Sequence, residues 1–86
     1  MVAIQQSAID FVALHLQSSV GKSVYIGAIL GAYTDYCKTN KLTKETPMIL
    51  LYYITTVHGQ YDNLVLVNKW TLERNVIEVW FDVELV

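Results

Sequence analysis

Little in this 86-residue sequence can staple or charge a fold, and each shortage excludes something. One cysteine, Cys37, excludes an internal disulfide and fits a reducing compartment. His15 and His58 stand too far apart, with too few companions, to form a zinc pattern. Only 16% of the residues are charged and the net charge is −2, against the strongly basic balance of a nonspecific nucleic-acid binder. No uncharged run reaches the roughly 18 residues of a membrane span, and no basic start leads into a long apolar stretch. Neither a membrane segment nor a leader is expected, and the expected setting is intracellular. The one proline, Pro47, and the four glycines leave no room for a flexible linker.

Residues 17–23, "QSSVGKS", end as a phosphate-binding loop ends. Such a loop needs GxxxxGK[ST], so that backbone N–H groups wrap a phosphate, but Leu16 stands where the first glycine belongs. The expectation is a turn between helices, with Gly21 reversing the chain and Ser23 capping the next helix. No cofactor is expected. The rest of the sequence is 53% hydrophobic, more than so short a chain can hide by itself, which points to a covering partner and most simply to a homodimer.

Apolar periodicity then sets the elements. A first helix is predicted from about Ile4 to Gln17, with Ile4, Ala8, Phe11 and His15 on one row and Ile9, Val12, Ala13 and Leu16 on a second. In the second helix Ile26, Ile29, Leu30, Tyr33, Tyr36 and Cys37 recur along one side. Gly27 and Gly31 would permit a close helix approach, and Asn40 would take the left-handed turn at the end. A third helix would start at a Thr43 or Thr46 cap, the latter with Pro47 at the first helical position, and bury Leu50, Leu51, Ile54 and Val57. From about residue 60 the period becomes two. "LVLVNKWTL" and "VIEVWFDVEL" read as a hairpin reversing at "ERN", with Ile77, Val79, Phe81, Val83 and Leu85 inward and Glu78, Trp80, Asp82 and Glu84 on an acidic outer face.

The expected fold is therefore α+β, three helices and a C-terminal β-hairpin, in one domain over 1–86. Charge is polarised along it. Residues 21–47 hold four lysines against Asp35 and Glu45, a balance of +2, and residues 73–86 hold Arg74 against four acids, a balance of −3.

"AILGAYTDYCKTNKLTKETPMILLYYI" resembles the winged-helix domain that closes many viral and phage primase-helicases of the poxvirus type, through Ile29, Tyr33, Tyr36, Cys37, Asn40, Leu42 and Thr43. "WTLERNVIEVWFDVEL" is similar to that family's wing. Two features depart from the pattern: the third helix lacks the usual Arg and Lys, and Pro47 stands near the place of an aromatic anchor. The resemblance implies a three-helix winged helix-turn-helix that binds duplex DNA, in replication or transcription in a virus or mobile element. Lys41, Lys44 and Thr46 would meet phosphates, Tyr52, Thr55 and Thr56 base edges, and Arg74 a narrow groove. The acidic outer face would have to stay away from the phosphates.

The alternative is a protein-pairing module that uses Trp70, Trp80, Tyr25 and Tyr53 as aromatic anchors, unless these side chains are partly buried, as is expected of Trp70. No enzyme is expected: His15 lies on an apolar face, His58 ends a helix where a positive charge suits the dipole, and Cys37 lies in a core stripe.

Overall fold

The computed structural model describes residues 3–86 and is α+β, with three helices and one three-stranded antiparallel sheet. The order is α1 (Gln6–His15), β1 (Leu16–Tyr25), α2 (Ile26–Asn40), α3 (Pro47–His58), β2 (Asp62–Val67) and β3 (Arg74–Leu85), and the sheet runs β1-β3-β2. β3 is long enough to serve both neighbours in turn. Its second half pairs with β1, from Leu16↔Leu85 to Tyr25↔Val79, and its first half pairs with β2, from Asp62↔Val79 to Val67↔Arg74.

The helices and the β1 half of the sheet enclose one core. Ala8, Phe11 and Val12 of α1, Ile29, Tyr33 and Cys37 of α2, Leu50 and Ile54 of α3, and Leu16, Val24, Trp80 and Val83 of the sheet are all buried. Phe11 packs edge-on against Tyr33 with centroids 5.2 Å apart, the geometry that opposes ring edge to ring face.

β1 lies where an inter-helix turn was expected. α1 stops two residues short of Gln17 because Leu16 turns extended and joins β3, while the Val86 N–H donates to the His15 carbonyl across that join. The strand is hard to read because it is interrupted: between Ser18↔Val83 and Ser23↔Phe81, residues 19–22 all pass opposite Asp82. Gly21, at φ 84°, allows this excursion, and its N–H donates to Asp82 Oδ1 at 2.9 Å. The GKS triplet is thus part of a strand bulge. Ser23 is a ladder residue; α2 begins only at Ile26, and no side chain caps it.

α2 buries its expected stripe. Its left-handed residue is Lys41 (φ 53°), one beyond Asn40, and the Leu42 N–H reaches back to the Cys37 carbonyl at 2.9 Å, as in a Schellman end. The two glycines do not admit a helix. A Cβ at Gly27 would meet the Tyr25 ring at 2.9 Å, and Gly31 faces open space.

α3 begins as predicted, with Thr46 at the cap position and Pro47 first in the helix, although the Thr46 side chain makes no capping bond. Val57, expected inside, is half exposed, and Tyr53 packs on the core in its place.

The hairpin departs most from expectation. Trp80, assigned to the acidic outer face, is 0% exposed; it donates Nε1–H to the Gly59 carbonyl at 2.8 Å and meets Tyr61 edge-on. The cause is Asp82, whose φ of 59° inserts one unpaired residue and switches the faces, so that Trp80, Val83 and Leu85 look inward together while Phe81 is half exposed. No single acidic face results. The reversal is also earlier than "ERN": it spans residues 68–73, where Asn68 Oδ1 accepts the Trp70 and Thr71 N–H groups and the Leu72 N–H reaches the Asn68 carbonyl. Trp70, expected to be partly buried, is 93% exposed at this tip.

Candidate nucleic-acid interface

The turn between α2 and α3 is held from inside by a polar network that hydrophobic periodicity does not reveal. The Glu45 N–H donates to the Tyr33 hydroxyl at 2.8 Å, Tyr33 Oη and Ser7 Oγ lie 2.8 Å apart, and Ser7 Oγ donates to the Thr43 carbonyl at 2.6 Å. With the Ser7 proton committed to Thr43, the phenol proton must go to Ser7. Burial raises the Tyr33 pKa above its ordinary 10.0, which keeps that proton in place. The Glu45 side chain then folds inward and is only 8% exposed. One carboxylate oxygen accepts the Thr46 N–H and the other the Gln5 N–H, each at 2.9 Å, so the acid ties the start of α3 to the start of α1.

This fold decides which charges face water. Between Tyr36 and Tyr61 the only acid is Glu45, and its carboxylate is turned inside. Lys38, Lys41 and Lys44 remain exposed. α3 carries no Lys, Arg, Asp or Glu, and its outer side presents Met48, Tyr52 and Thr56.

The predicted contact residues fall into three places. Lys41, Lys44 and Thr46 are exposed on the turn that leads into α3. Tyr52 is exposed on α3 and borders, with Met48, Leu51, Thr55, Gln60 and Tyr61, a shallow hollow of about 300 Å³. Thr55 is half-buried, and Thr56 lies on an adjacent exposed side. Both threonine hydroxyls donate to their own helix, Oγ1 of Thr55 to the Leu51 carbonyl at 2.8 Å and Oγ1 of Thr56 to the Tyr52 carbonyl at 3.0 Å. Toward a ligand they offer oxygen lone pairs and methyl groups. Arg74 is exposed but opens β3 opposite Val67, behind the tip. The residues at the tip itself are Lys69, which sequence reasoning missed, and Trp70, which it offered only as a protein-pairing anchor, because it placed the reversal at residues 73–75.

The acids of β3 are dispersed. Asp82 is engaged with the Gly21 N–H, Glu84 accepts from the Gln17 amide, and Glu78 stands opposite Asn63 on the hairpin.

His58 was expected to favour the charged form at the end of α3. Burial instead lowers its pKa below the ordinary 6.5. A group of this kind costs stability only when it must be charged, so the His58 contribution should be flat above pH 6.5 and decline as the pH falls through 6.5 toward the lowered value. His58→Gln should flatten that acid limb in urea melts run from about pH 5 to about pH 7.5; an unchanged limb would assign it to other groups.

A second cleft of about 580 Å³ lies between α1, α2 and the end of β3. Phe11, His15 and Tyr36 meet there with centroids 5.3 to 5.6 Å apart, and His15 Nδ1–H donates to the Val86 carbonyl at 2.9 Å. Among the described residues no three His, Cys, Asp or Glu stand together as a metal site, and no helix is long and apolar enough to cross a membrane.

Compared with family models, curated proteins and solved structures, the chain matches none.

Proposed function

We propose that the chain is a winged-helix protein that binds duplex DNA, with α3 as the groove-facing helix and β2–β3 as the wing. The observation that carries this reading is the inward Glu45: with its carboxylate turned to the Gln5 and Thr46 N–H groups, the exposed charges between Tyr36 and Tyr61 are Lys38, Lys41 and Lys44. The element order and the β1-β3-β2 sheet suit the arrangement, in which a helix lies in the major groove and a hairpin reaches the backbone beside it. Glu78 and Glu84 do not share one side of β3, because Asp82 bulges between them, so the acids form no continuous face.

In this reading Lys41, Lys44 and Thr46 meet phosphates and set register, Tyr52, Thr55 and Thr56 offer ring, methyl and lone-pair contacts to base edges, and Arg74 with Lys69 anchors the wing. A role in replication or transcription, in a virus or mobile element, belongs to the same proposal. Lys44→Glu and Arg74→Glu should each weaken duplex binding by about tenfold at low salt, and should reduce the salt slope by about one contact apiece. Gel-shift titration at several salt concentrations, with thermal melts as control, measures both. Unchanged affinity in a folded double variant would overturn the DNA reading.

One observation favours a second reading, a protein-pairing module: the hairpin carries uncovered apolar side chains on both faces, Trp70 foremost.

A further inference from the structure

β2 is an edge strand whose outer side has no partner among the described residues. Natural edges are blunted by lysine, proline, a bulge or a covering element. None of these protects β2. Its register with β3 is continuous over all six residues, it has no proline or lysine, and no charge occurs from Asn63 to Asn68. Its side chains are apolar on both faces: Val65 and Val67 stand on the side of Val76, and Leu64 and Leu66 on the side of Ile77. All four β2 residues are exposed, as is Val76. A strand laid along this edge would pack against Leu64 and Leu66 on one face and Val65 and Val67 on the other.

We infer that β2 pairs antiparallel with β2 of a second copy, across a two-fold axis at Val65, to make a continuous sheet of order β1-β3-β2-β2-β3-β1. Symmetry restricts the register. A two-fold axis between antiparallel strands stands perpendicular to the sheet and must place some residue opposite itself. With Val65 on the axis, Leu64 meets Leu66 twice on one face and Val65 meets Val65 on the other. Asp62 falls opposite Asn68, next to Lys69 of the second copy, so opposite charges close both ends and no like charges face each other. An axis at Leu66 would instead set Asp62 opposite Trp70. A partner of unrelated sequence has no such reason to match both ends of this strip.

The geometry leaves room for two copies. β1 occupies the other edge of β3 and pairs only with residues 79–85, so the helical body lies at the Asp62 end of the hairpin. Antiparallel pairing sends the two bodies to opposite ends, about 20 Å apart along six residues of strand. The inference draws on Lys69, which the DNA reading also uses, but it does not require DNA binding; a symmetric pair would present two α3 helices to a two-fold site.

The test is sedimentation equilibrium of the full chain over a wide concentration range, expected to give twice 9.8 kDa. Val65→Lys and Val65→Glu each place like charges opposite each other on the axis and should raise the dimer Kd about a hundredfold, while thermal melts extrapolated to low concentration stay unchanged, Val65 being exposed in one copy. Mixing the two variants should restore a dimer of one copy of each. A wild-type chain that stays monomeric at the highest concentration would overturn the proposal and leave the strip to a different protein. A dimer indifferent to both variants would overturn it in favour of another surface. DNA binding, measured separately, does not enter either outcome.

Discussion

Replacing Trp80 by alanine is expected to cost about 3–5 kcal/mol of folding stability, the range for removing a large buried aromatic side chain. A small domain has little to spare: total stabilities run from about 5 to 15 kcal/mol, and short chains lie at the low end. The variant should therefore be largely unfolded at 37 °C (about body temperature). Two contributions separate by substitution. Trp80→Phe keeps most of the packing against Tyr61 and loses the Nε1–H bond to the Gly59 carbonyl, for about 1–2 kcal/mol. Trp70→Ala, at the exposed hairpin tip, should change the stability of one copy by no more than about 0.5 kcal/mol. Urea denaturation checks all three, and tryptophan emission gives a second readout: the Trp70→Ala protein retains the buried indole and should emit to the blue of the Trp80→Phe protein. Equal costs at the two tryptophans would mean that the hairpin is not arranged as described.

The two tryptophans also show what the sequence can and cannot tell. Strict alternation through "VIEVWFDVEL" assigns Trp80 to an outer face with Glu78 and Glu84, but Trp80 is buried. What alternation cannot reveal is the extra residue: Asp82 takes a left-handed conformation, which aspartate tolerates, and its carboxylate is satisfied by Gly21 some sixty residues earlier in sequence. The same long-range pair conceals β1, because "SSVGKS" has neither alternation nor β-branched density and becomes strand only through β3. The stripes of α2 and α3 were legible because burial there follows a local 3.6-residue period, as Ile29, Tyr33 and Cys37 show. Val57 was misplaced because the periodic pattern does not say where the neighbouring elements stop.

At the candidate interface the positions of Lys41, Lys44 and Thr46 ahead of α3 were readable from the turn and the Pro47 start. The behaviour of Glu45 was not. As a letter between Lys44 and Thr46 it reads as a surface acid that cancels one lysine. In the fold it is a structural acceptor: its charge remains, but its carboxylate is turned to the Gln5 and Thr46 N–H groups while the neighbouring lysines are exposed. The hairpin carries the converse lesson. "LVLV" reads as part of a hairpin with one buried face, but β2 lies beyond the helices and all six of its residues are exposed.

The second large effect is expected in the network beneath the α2–α3 turn. Tyr33→Phe removes the acceptor of the Glu45 N–H and the donor to Ser7 together, and should cost about 2–3 kcal/mol because both partners are left in a dry environment. Ser7→Ala removes the middle of the chain and should cost about 1–2 kcal/mol, leaving the Tyr33 proton and the Thr43 carbonyl unmet. The two costs should not add. Once Ser7 is gone, the phenol has lost one of its two bonds, so the double variant should fall short of the sum by about 1 kcal/mol, as expected for side chains in one network. Glu45→Ala should cost about 2 kcal/mol through the orphaned Gln5 and Thr46 N–H groups, and it should loosen the turn that presents Lys41 and Lys44. In hydrogen exchange the Thr46 and Leu50 amides should then lose protection ahead of the core of α2. Additive costs at Ser7 and Tyr33, or a Glu45→Ala variant with wild-type stability and exchange, would show that the turn is held by its backbone alone, and the inward carboxylate would no longer explain why the exposed charges between Tyr36 and Tyr61 are lysines.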